Sequence, residues 1–452
     1  MSTTFDIRKE MNGIVEAPGK TWFWELAAAV IDADRCVQCG TCVAACPSDS
    51  IGVRADGLPM LVKMCTGCSL CWDFCPRAGL RYEATWPRPA SGTTPVARSS
   101  VRVTARNGKA AGNGKAAGNG KAAGNGNGTR AHPDDGNDDW KIHGGAGQGL
   151  GVVLDRYSAR WRPGSAPAAG AQDGGVVSAL LVAALESGLI DGALVAKESA
   201  TEPWKGVAHL ARTSEEITEA AGSFYNQTMA LAHLDLAKWK LPPTARIAVV
   251  GTPCEVQGLR ALLSRPFGWG RSRPDRVTLT VALLCTKSFD YEKLMLRELR
   301  DRRGLDLSRV GKVDVIHGRM LAWDLDGEVL VDEPVKDFHG AALKGCDECA
   351  DFLGRGADLS VGSVGSADGW SSVLVRSEAG RRAVSAARSA LELSELETPE
   401  ALEKLDGLDK RVALARTPRP LDPDGPLFID LEEHLRHYEG TDRQPVWGDR
   451  SE

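Results

Sequence analysis

No stretch of this chain is apolar for long enough to cross a bilayer. The longest candidate, Val176 to Leu185, falls well short of the roughly 20 residues that a spanning helix needs. No secretory leader is expected either, because Asp6 and Glu10 stand before any apolar run. Strong charge of one sign is also absent: a net charge of −5 over 452 residues is too small to point to a nucleic-acid partner. These absences predict a cytoplasmic protein with no direct membrane span, peripheral to a membrane only through other subunits. The composition, 42% hydrophobic and 25% charged, is that of an ordinary folded protein with room for two or three domains.

Cysteine, by contrast, is plentiful. With no export signal, twelve cysteines predict a reducing compartment and thiolates that serve as metal ligands. Eight of them form two copies of one spacing, Cys36-x2-Cys39-x2-Cys42-x3-Cys46-Pro47 and Cys65-x2-Cys68-x2-Cys71-x3-Cys75-Pro76. This is the run that ligates cubane clusters in bacterial two-cluster ferredoxins, where the fourth Cys of each run ligates the other cluster. Cys36, Cys39, Cys42 and Cys75 are therefore expected to hold one 4Fe-4S cluster, and Cys65, Cys68, Cys71 and Cys46 the second. Structural zinc calls for neither the triplet nor its proline. Disulfides fit neither the spacing nor the compartment.

The chain divides by composition. Residues 1–86 carry the eight cysteines, preceded by Trp22, Phe23 and Trp24, which are expected to cover the clusters or dock on the main domain. Residues 87–146 are expected to be a linker: Asn-Gly-Lys-Ala-Ala-Gly repeats three times from 107 to 124, and the segment 87–130 holds eight Lys or Arg and no Asp or Glu. Such a tether favours a mobile ferredoxin arm. Residues 147–452 alternate strand and helix signals. Strands are expected at Val152–Tyr157, Ala193–Ala196, Arg246–Val250, Val277–Leu284 and Ser372–Arg376, with helices at Val176–Glu186, Glu255–Leu263, Ala379–Leu391 and Leu431–Tyr438. A meander is expected over Val313–Ile316, Met320–Asp324 and Val329–Val331. The fold class is an α/β main domain, a mostly parallel, helix-covered sheet with antiparallel additions, beside a small α+β two-cluster ferredoxin domain.

The last four cysteines are Cys254, Cys285, Cys346 and Cys349. Two end apolar strands, where open α/β sheets place their ligands, and two form a C-x2-C pair. Four thiols gathered there could close around another cubane cluster; the alternative is inert buried cysteines. No His lies near Cys254 or Cys285 in sequence to make a nucleophilic pair.

Several further segments carry a resemblance. They are Gly174-Gly175-Val176-Val177-Ser178, Gly251-Thr252-Pro253-Cys254-Glu255, Cys285-Thr286-Lys287-Ser288, Gly345-Cys346-x2-Cys349 and Gly362-Ser363-x-Gly365, with Gly369-Trp370. In content and order, over about residues 147–420, the chain resembles the coenzyme F420 hydrogenase/dehydrogenase beta-subunit family. The resemblance implies FAD and one 4Fe-4S cluster in the main domain, with Cys254, Cys285, Cys346 and Cys349 as its ligands. It also implies coenzyme F420, a deazaflavin, as the two-electron substrate. No catalytic side chain is expected, since hydride transfer belongs to the flavin. Gly174, Gly175, Val176, Ser178, Asn226, Thr252, Pro253, Lys287, Gly362, Ser363 and Gly365 are the expected cofactor contacts. Lys287, Arg319, Lys336 and Lys344 are candidates for the anionic coenzyme tail. The chain departs from the family at the inserted linker, at Lys287 and at His317-Gly318-Arg319. The one-electron partner is expected to be ferredoxin, a quinone-linked complex or a hydrogenase. Two other readings stand beside it: a ferredoxin-dependent reductase of a bulky organic substrate, similar to 7-hydroxymethyl chlorophyll a reductase, and a non-catalytic electron-relay subunit of a larger complex.

Overall fold

The cysteine repeat becomes a structural repeat. In each copy a residue with positive φ starts a short helix: Gly40 (φ 76°) leads into α1 (Thr41–Ala45), and Ser69 (φ 65°) leads into α2 (Leu70–Asp73). Between them, β1 (Ile51–Val53) and β2 (Pro59–Leu61) pair antiparallel with Ile51 opposite Leu61. The computed structural model describes residues 22–78, 149–162, 171–264 and 269–415. The expected linker and the helix expected at Leu431–Tyr438 lie outside the described residues. Phe23 packs among Cys42, Cys46, Cys71 and Cys75, so the aromatic segment covers the thiols.

In the main unit, short runs of Val, Leu and Ala build an eight-stranded sheet. Its strands are β3 (Asp155–Trp161), β4 (Gly192–Glu198), β5 (Gly206–Ala211), β6 (Ile247–Gly251), β7 (Val277–Leu283), β11 (Leu359–Gly362), β12 (Ser371–Val375) and β13 (Leu391–Ser394), in the order β13-β3-β12-β11-β7-β6-β4-β5. The central four, β11-β7-β6-β4, run parallel and the flanking pairs are antiparallel, so the sheet is mixed and not mostly parallel as expected: four of its seven pairings are antiparallel. The remaining strands, β8 (Val310–Ile316), β9 (Arg319–Asp324) and β10 (Val329–Pro334), form the expected meander as a separate sheet.

Two expected boundaries need correction. The first strand starts at Asp155, not Val152, because Tyr157, Ala159 and Trp161 supply the apolar positions that pack on the core. The helix expected over Ala379–Leu391 stops at Ala386, and Leu391 reaches the core as the first residue of β13.

Helix α3 (Val176–Glu186) and helix α5 (Glu378–Ala386) cover one side of the sheet, where Leu180, Leu181 and Ala383 meet Val281 and Val373. Helix α4 (Pro253–Ser264) covers the other. There Leu259 and Leu262 join Ile247, Val249 and Leu231 in an apolar cluster that also contains Ala44, Ala45, Leu70 and Phe74 of the cysteine-rich unit. The two units thus share one core, which corrects the expected mobile arm. Apolar burial of this kind contributes about 25 cal/mol per Å2 and holds the units together. Phe74 is 1% exposed at the middle of that core. Phe74→Ala is expected to cost about 3–5 kcal/mol. In urea the change should move the transitions of both units to lower concentration together; movement of only the cysteine-rich unit would argue against a shared core.

Candidate functional site

The thiols sort themselves by proximity. Cys42 is electrostatically coupled to Cys39, Cys36 and Cys75, while Cys71 is coupled to Cys68, Cys65 and Cys46. The fourth Cys of each run therefore sits with the other run's triplet, as the spacing predicts. Burial, more than any neighbour, pushes the Cys36 and Cys75 thiols up to about 12 and holds Cys42 and Cys71 well above the ordinary range. Buried thiols of this kind become thiolates once a metal centre takes up their charge. Backbone N–H groups already point at the sulfurs: Gln38 N to Cys36 Sγ (3.4 Å), Gly67 N to Cys65 Sγ (3.4 Å), Ser50 N to Cys46 Sγ (3.2 Å) and Arg77 N to Cys75 Sγ (3.4 Å). Such N–H···S bonds stabilise sulfur-borne charge and raise cluster potentials. Among the described residues, no three His, Cys, Asp or Glu side chains close on a point as ligands of one metal ion do. A cubane spreads its four thiolates around a cage of four irons, and four coupled thiols per set suit that cage in donor chemistry.

The other four cysteines also converge. Cys254 lies in the first turn of α4, directly after β6, and Cys285 follows β7, so both stand at the carboxyl ends of parallel strands. Cys346 and Cys349 come from the turn around Lys344–Glu348. Cys285 feels Cys346 and Cys349, and of the thiols Cys254 feels Cys39 of the first set most and then Cys349. Burial leads in raising all four, with Cys346 pushed up to about 11. Two residues that sequence reading did not single out complete this surrounding. Gln227 Nε2 donates to Ser288 Oγ (2.7 Å) and lies 4.0 Å from Cys254 Sγ, and Ser288 N donates to Cys346 Sγ (3.5 Å). Ser288 was within reach of the sequence, three residues beyond Cys285; Gln227 carried no signal of its own.

This third set adjoins the first. Val37, Cys39 and Cys254 lie in one apolar cluster with Cys346 against it. The seam is tight at backbone level. A Cβ on Gly345 would lie 2.1 Å from Arg35 O, one on Gly258 would lie 1.9 Å from Thr41 Oγ1, and one on Gly40 would lie 2.6 Å from Ala232 N. Across it Arg35 forks onto Glu348 (2.6 and 2.8 Å) and donates to Arg77 O (3.0 Å).

The expected cofactor contacts separate into two groups. The first is engaged elsewhere. Gly174 is fully packed, since a Cβ there would meet Ala159 O at 2.7 Å and Ser371 N at 3.0 Å. Asn226 spends its amide on Gly206 N, Gly206 O and Gln227 O, so it holds the start of β5. Thr252 Oγ1 lies 3.1 Å from Cys254 Sγ and belongs to the thiol surroundings, with buried Pro253 beside it. Val176 is in the core, Gly362 packs closely on Leu284, and Lys287 is ion-paired with Asp347. The second group lines the carboxyl edge of the parallel strands. Gly175 caps α3 in the left-handed region (φ 67°) with its nearest neighbour 3.5 Å from a built Cβ. Ser178 is half-buried and Ser363 is exposed, whereas Gly365 (φ 94°) is buried, with a built Cβ 3.0 Å from Ser372 Oγ. The meander stands over this edge, with Lys312 Nζ on Gln172 O (3.0 Å) and Gln172 Nε2 on Val313 O (3.1 Å). Of the candidate tail anchors, Arg319 pairs with Asp332 and Lys344 with Asp34, while Lys336 is exposed.

Comparison with known proteins identifies the family. Residues 163–235 and 244–400 match the N-terminal and C-terminal parts of the family described as coenzyme F420 hydrogenase/dehydrogenase, beta subunit, and residues 29–80 match a 4Fe-4S dicluster domain. The chain is 35% identical over 238 residues to the coenzyme F420 hydrogenase subunit beta of Methanothermobacter thermautotrophicus, spanning 53% of this chain and 82% of that one. It is 27% identical over 395 residues to the coenzyme F420-dependent sulfite reductase of Methanocaldococcus jannaschii, spanning 84% of this chain and 50% of the reductase. A chain of the F420-reducing nickel–iron hydrogenase complex from Methanosarcina barkeri superposes with a TM-score of 0.54 at 29% identity, covering 66% of this chain and 97% of that one. No helix among the described residues is long and apolar enough to cross a membrane.

Proposed function

This chain belongs to the coenzyme F420 hydrogenase/dehydrogenase beta-subunit family, and from that premise we propose that it is an oxidoreductase moving electrons between coenzyme F420 and a one-electron partner through FAD and three 4Fe-4S clusters. The observation that carries the reading is the sharing of one apolar cluster by Cys39 and Cys254, which puts the main-domain thiols next to the first ferredoxin set. When bound, the flavin supplies the exchange between hydride and single electrons, and the cubane clusters supply single-electron carriage.

The chain's own residues do the rest. Cys254, Cys285, Cys346 and Cys349 would hold the inner cluster, with Gln227, Thr252 and Ser288 directing polar hydrogens toward its sulfurs. Cys36, Cys39, Cys42 and Cys75 would hold the middle one, and Cys46, Cys65, Cys68 and Cys71 the outer one. Buried Val37 and Phe23 pack among the thiols and keep water from them. At the strand edge the Gly175 backbone, Ser178, Ser363 and Gly365 would seat the flavin, leaving Lys336 to meet the coenzyme tail. The outer set ends at exposed Cys68, beside exposed Val62 and Met64, which suits delivery to a partner protein. The division into residues 1–86, 87–146 and 147–452 is part of this reading.

Anaerobic mixing with reduced F420 tests it. Bleaching of the protein-bound flavin within seconds, followed by cluster reduction, is expected. No bleaching, with turnover of an organic acceptor at the expense of reduced ferredoxin, would favour the reverse-flowing reductase. Inertness toward both, with firm co-purification of other subunits, would favour the relay.

A further inference from the structure

Arg77 is a full positive charge buried at the seam between the two units. It follows Pro76 directly after Cys75 and is 4% exposed. Its Nε donates to Gly345 O (2.6 Å) and its Nη1 to Pro76 O (2.9 Å). Both are uncharged carbonyls, so neither balances the guanidinium. The nearby carboxylate, Glu348, is already forked by Arg35. A buried guanidinium needs opposite charge close by. The groups that offset it are the Glu348 carboxylate and three sulfurs. Cys349, Cys254 and Cys346 of the inner set act on Arg77, and Arg77 in turn acts on Cys36, Cys39 and Cys75 of the middle set. Arg77 therefore stands between two thiol sets, on neither side's surface. Its backbone is held in that place as well: its N–H is on Cys75 Sγ and its carbonyl accepts from Arg35.

We propose that Arg77 is a positioning residue for electron passage: its fixed charge at the seam stabilises the reduced form of the clusters on both sides and so keeps their potentials close to one another. The proposal rests on the cluster occupancy set out under the proposed function. A cation close to a cluster favours the state with the extra electron, so the potential rises. A charge shared by two neighbouring sites raises both, whereas Cys71 of the outer set feels other thiols and not Arg77. The Arg35–Glu348 pair adds almost no net charge, and its part is to hold the Arg77 backbone in register.

Potentiometric titration followed by electron paramagnetic resonance tests this on the full chain. Iron is counted first. If the unaltered chain holds about eight irons where three cubanes require about twelve, the occupancy reading fails and the inference falls with it. With about twelve irons present, Arg77→Gln keeps a donor for Gly345 O but removes the charge. It is expected to lower the potentials of the inner and middle clusters while leaving the outer cluster in place. Arg77→Lys, which keeps the charge, is expected to restore most of the shift. Should the Gln variant fail to take up iron, Arg77→Met is the second neutral variant. Unmoved potentials, equal shifts in the Gln and Lys variants, or an equal shift of all three clusters would each overturn the proposal. Cys254→Ala identifies which signal belongs to the inner cluster.

Discussion

Cys254→Ala is expected to bring the iron content of the anaerobically prepared chain from about twelve to about eight per molecule. The other eight ligands lie in the cysteine-rich unit and do not depend on Cys254 for their own geometry. Alanine leaves Cys285, Cys346 and Cys349 as three buried thiols with no fourth ligand, and their raised affinity for protons then works against metal uptake. The functional loss is expected to be larger than the chemical one. Cys254 and Cys39 share the apolar contact between the main domain and the ferredoxin unit. Removing the inner site should therefore abolish reduction of the ferredoxin clusters by reduced F420, while dithionite still reduces them. Retention of about twelve irons, or unchanged reduction by F420, would show that these four cysteines are inert.

The second large effect is mechanical. In Gly345→Val, the first carbon of the new side chain alone would sit 2.1 Å from Arg35 O and 2.8 Å from its carbonyl carbon. Both are backbone atoms, so no side-chain rotation relieves the clash. Overpacking of an ordinary core costs about 1–3 kcal/mol, and a clash against backbone belongs at or above that upper end. The variant is expected to open the seam. After limited proteolysis within residues 87–146, the two halves of the unaltered chain should elute together, whereas those of Gly345→Val should separate. Co-elution of the variant's halves would mean that the shared core alone sets the docking. Gly258→Val, which would drive into Thr41 from the opposite side, should behave the same way.

The sequence made some of this legible because the chemistry leaves a local trace. Cysteine spacing is such a trace, so the grouping of the eight thiols, each triplet with the fourth Cys of the other run, could be read directly. Strand-end positions made Cys254 and Cys285 plausible partners of Cys346 and Cys349. Helix Val176–Glu186 had a Gly pair before it and a Ser-Gly stop after it, and it formed over those residues. What was not legible is what depends on distant pairing. Asn226 resembled a flavin donor until Gly206 claimed its amide. Gln227 and Arg77 carry no motif, and their positions follow only from how two units dock. The same holds for the docking itself. A long Gly-rich connection suggested free movement, but Ala44, Ala45, Leu70 and Phe74 have no sequence pattern that says they will be buried against Leu231 and Leu259.

The proposed exchange of fourth ligands has a consequence for how such a unit can change over generations. Because Cys75 reaches back to the earlier triplet and Cys46 reaches forward to the later one, neither repeat is a working half. Drift that spoils one loop strands a ligand of the other, so decay cannot proceed one centre at a time without rewiring. Lineages descended from this arrangement should therefore keep both centres or discard the whole module, and an intermediate with a single orphaned repeat has little to offer selection.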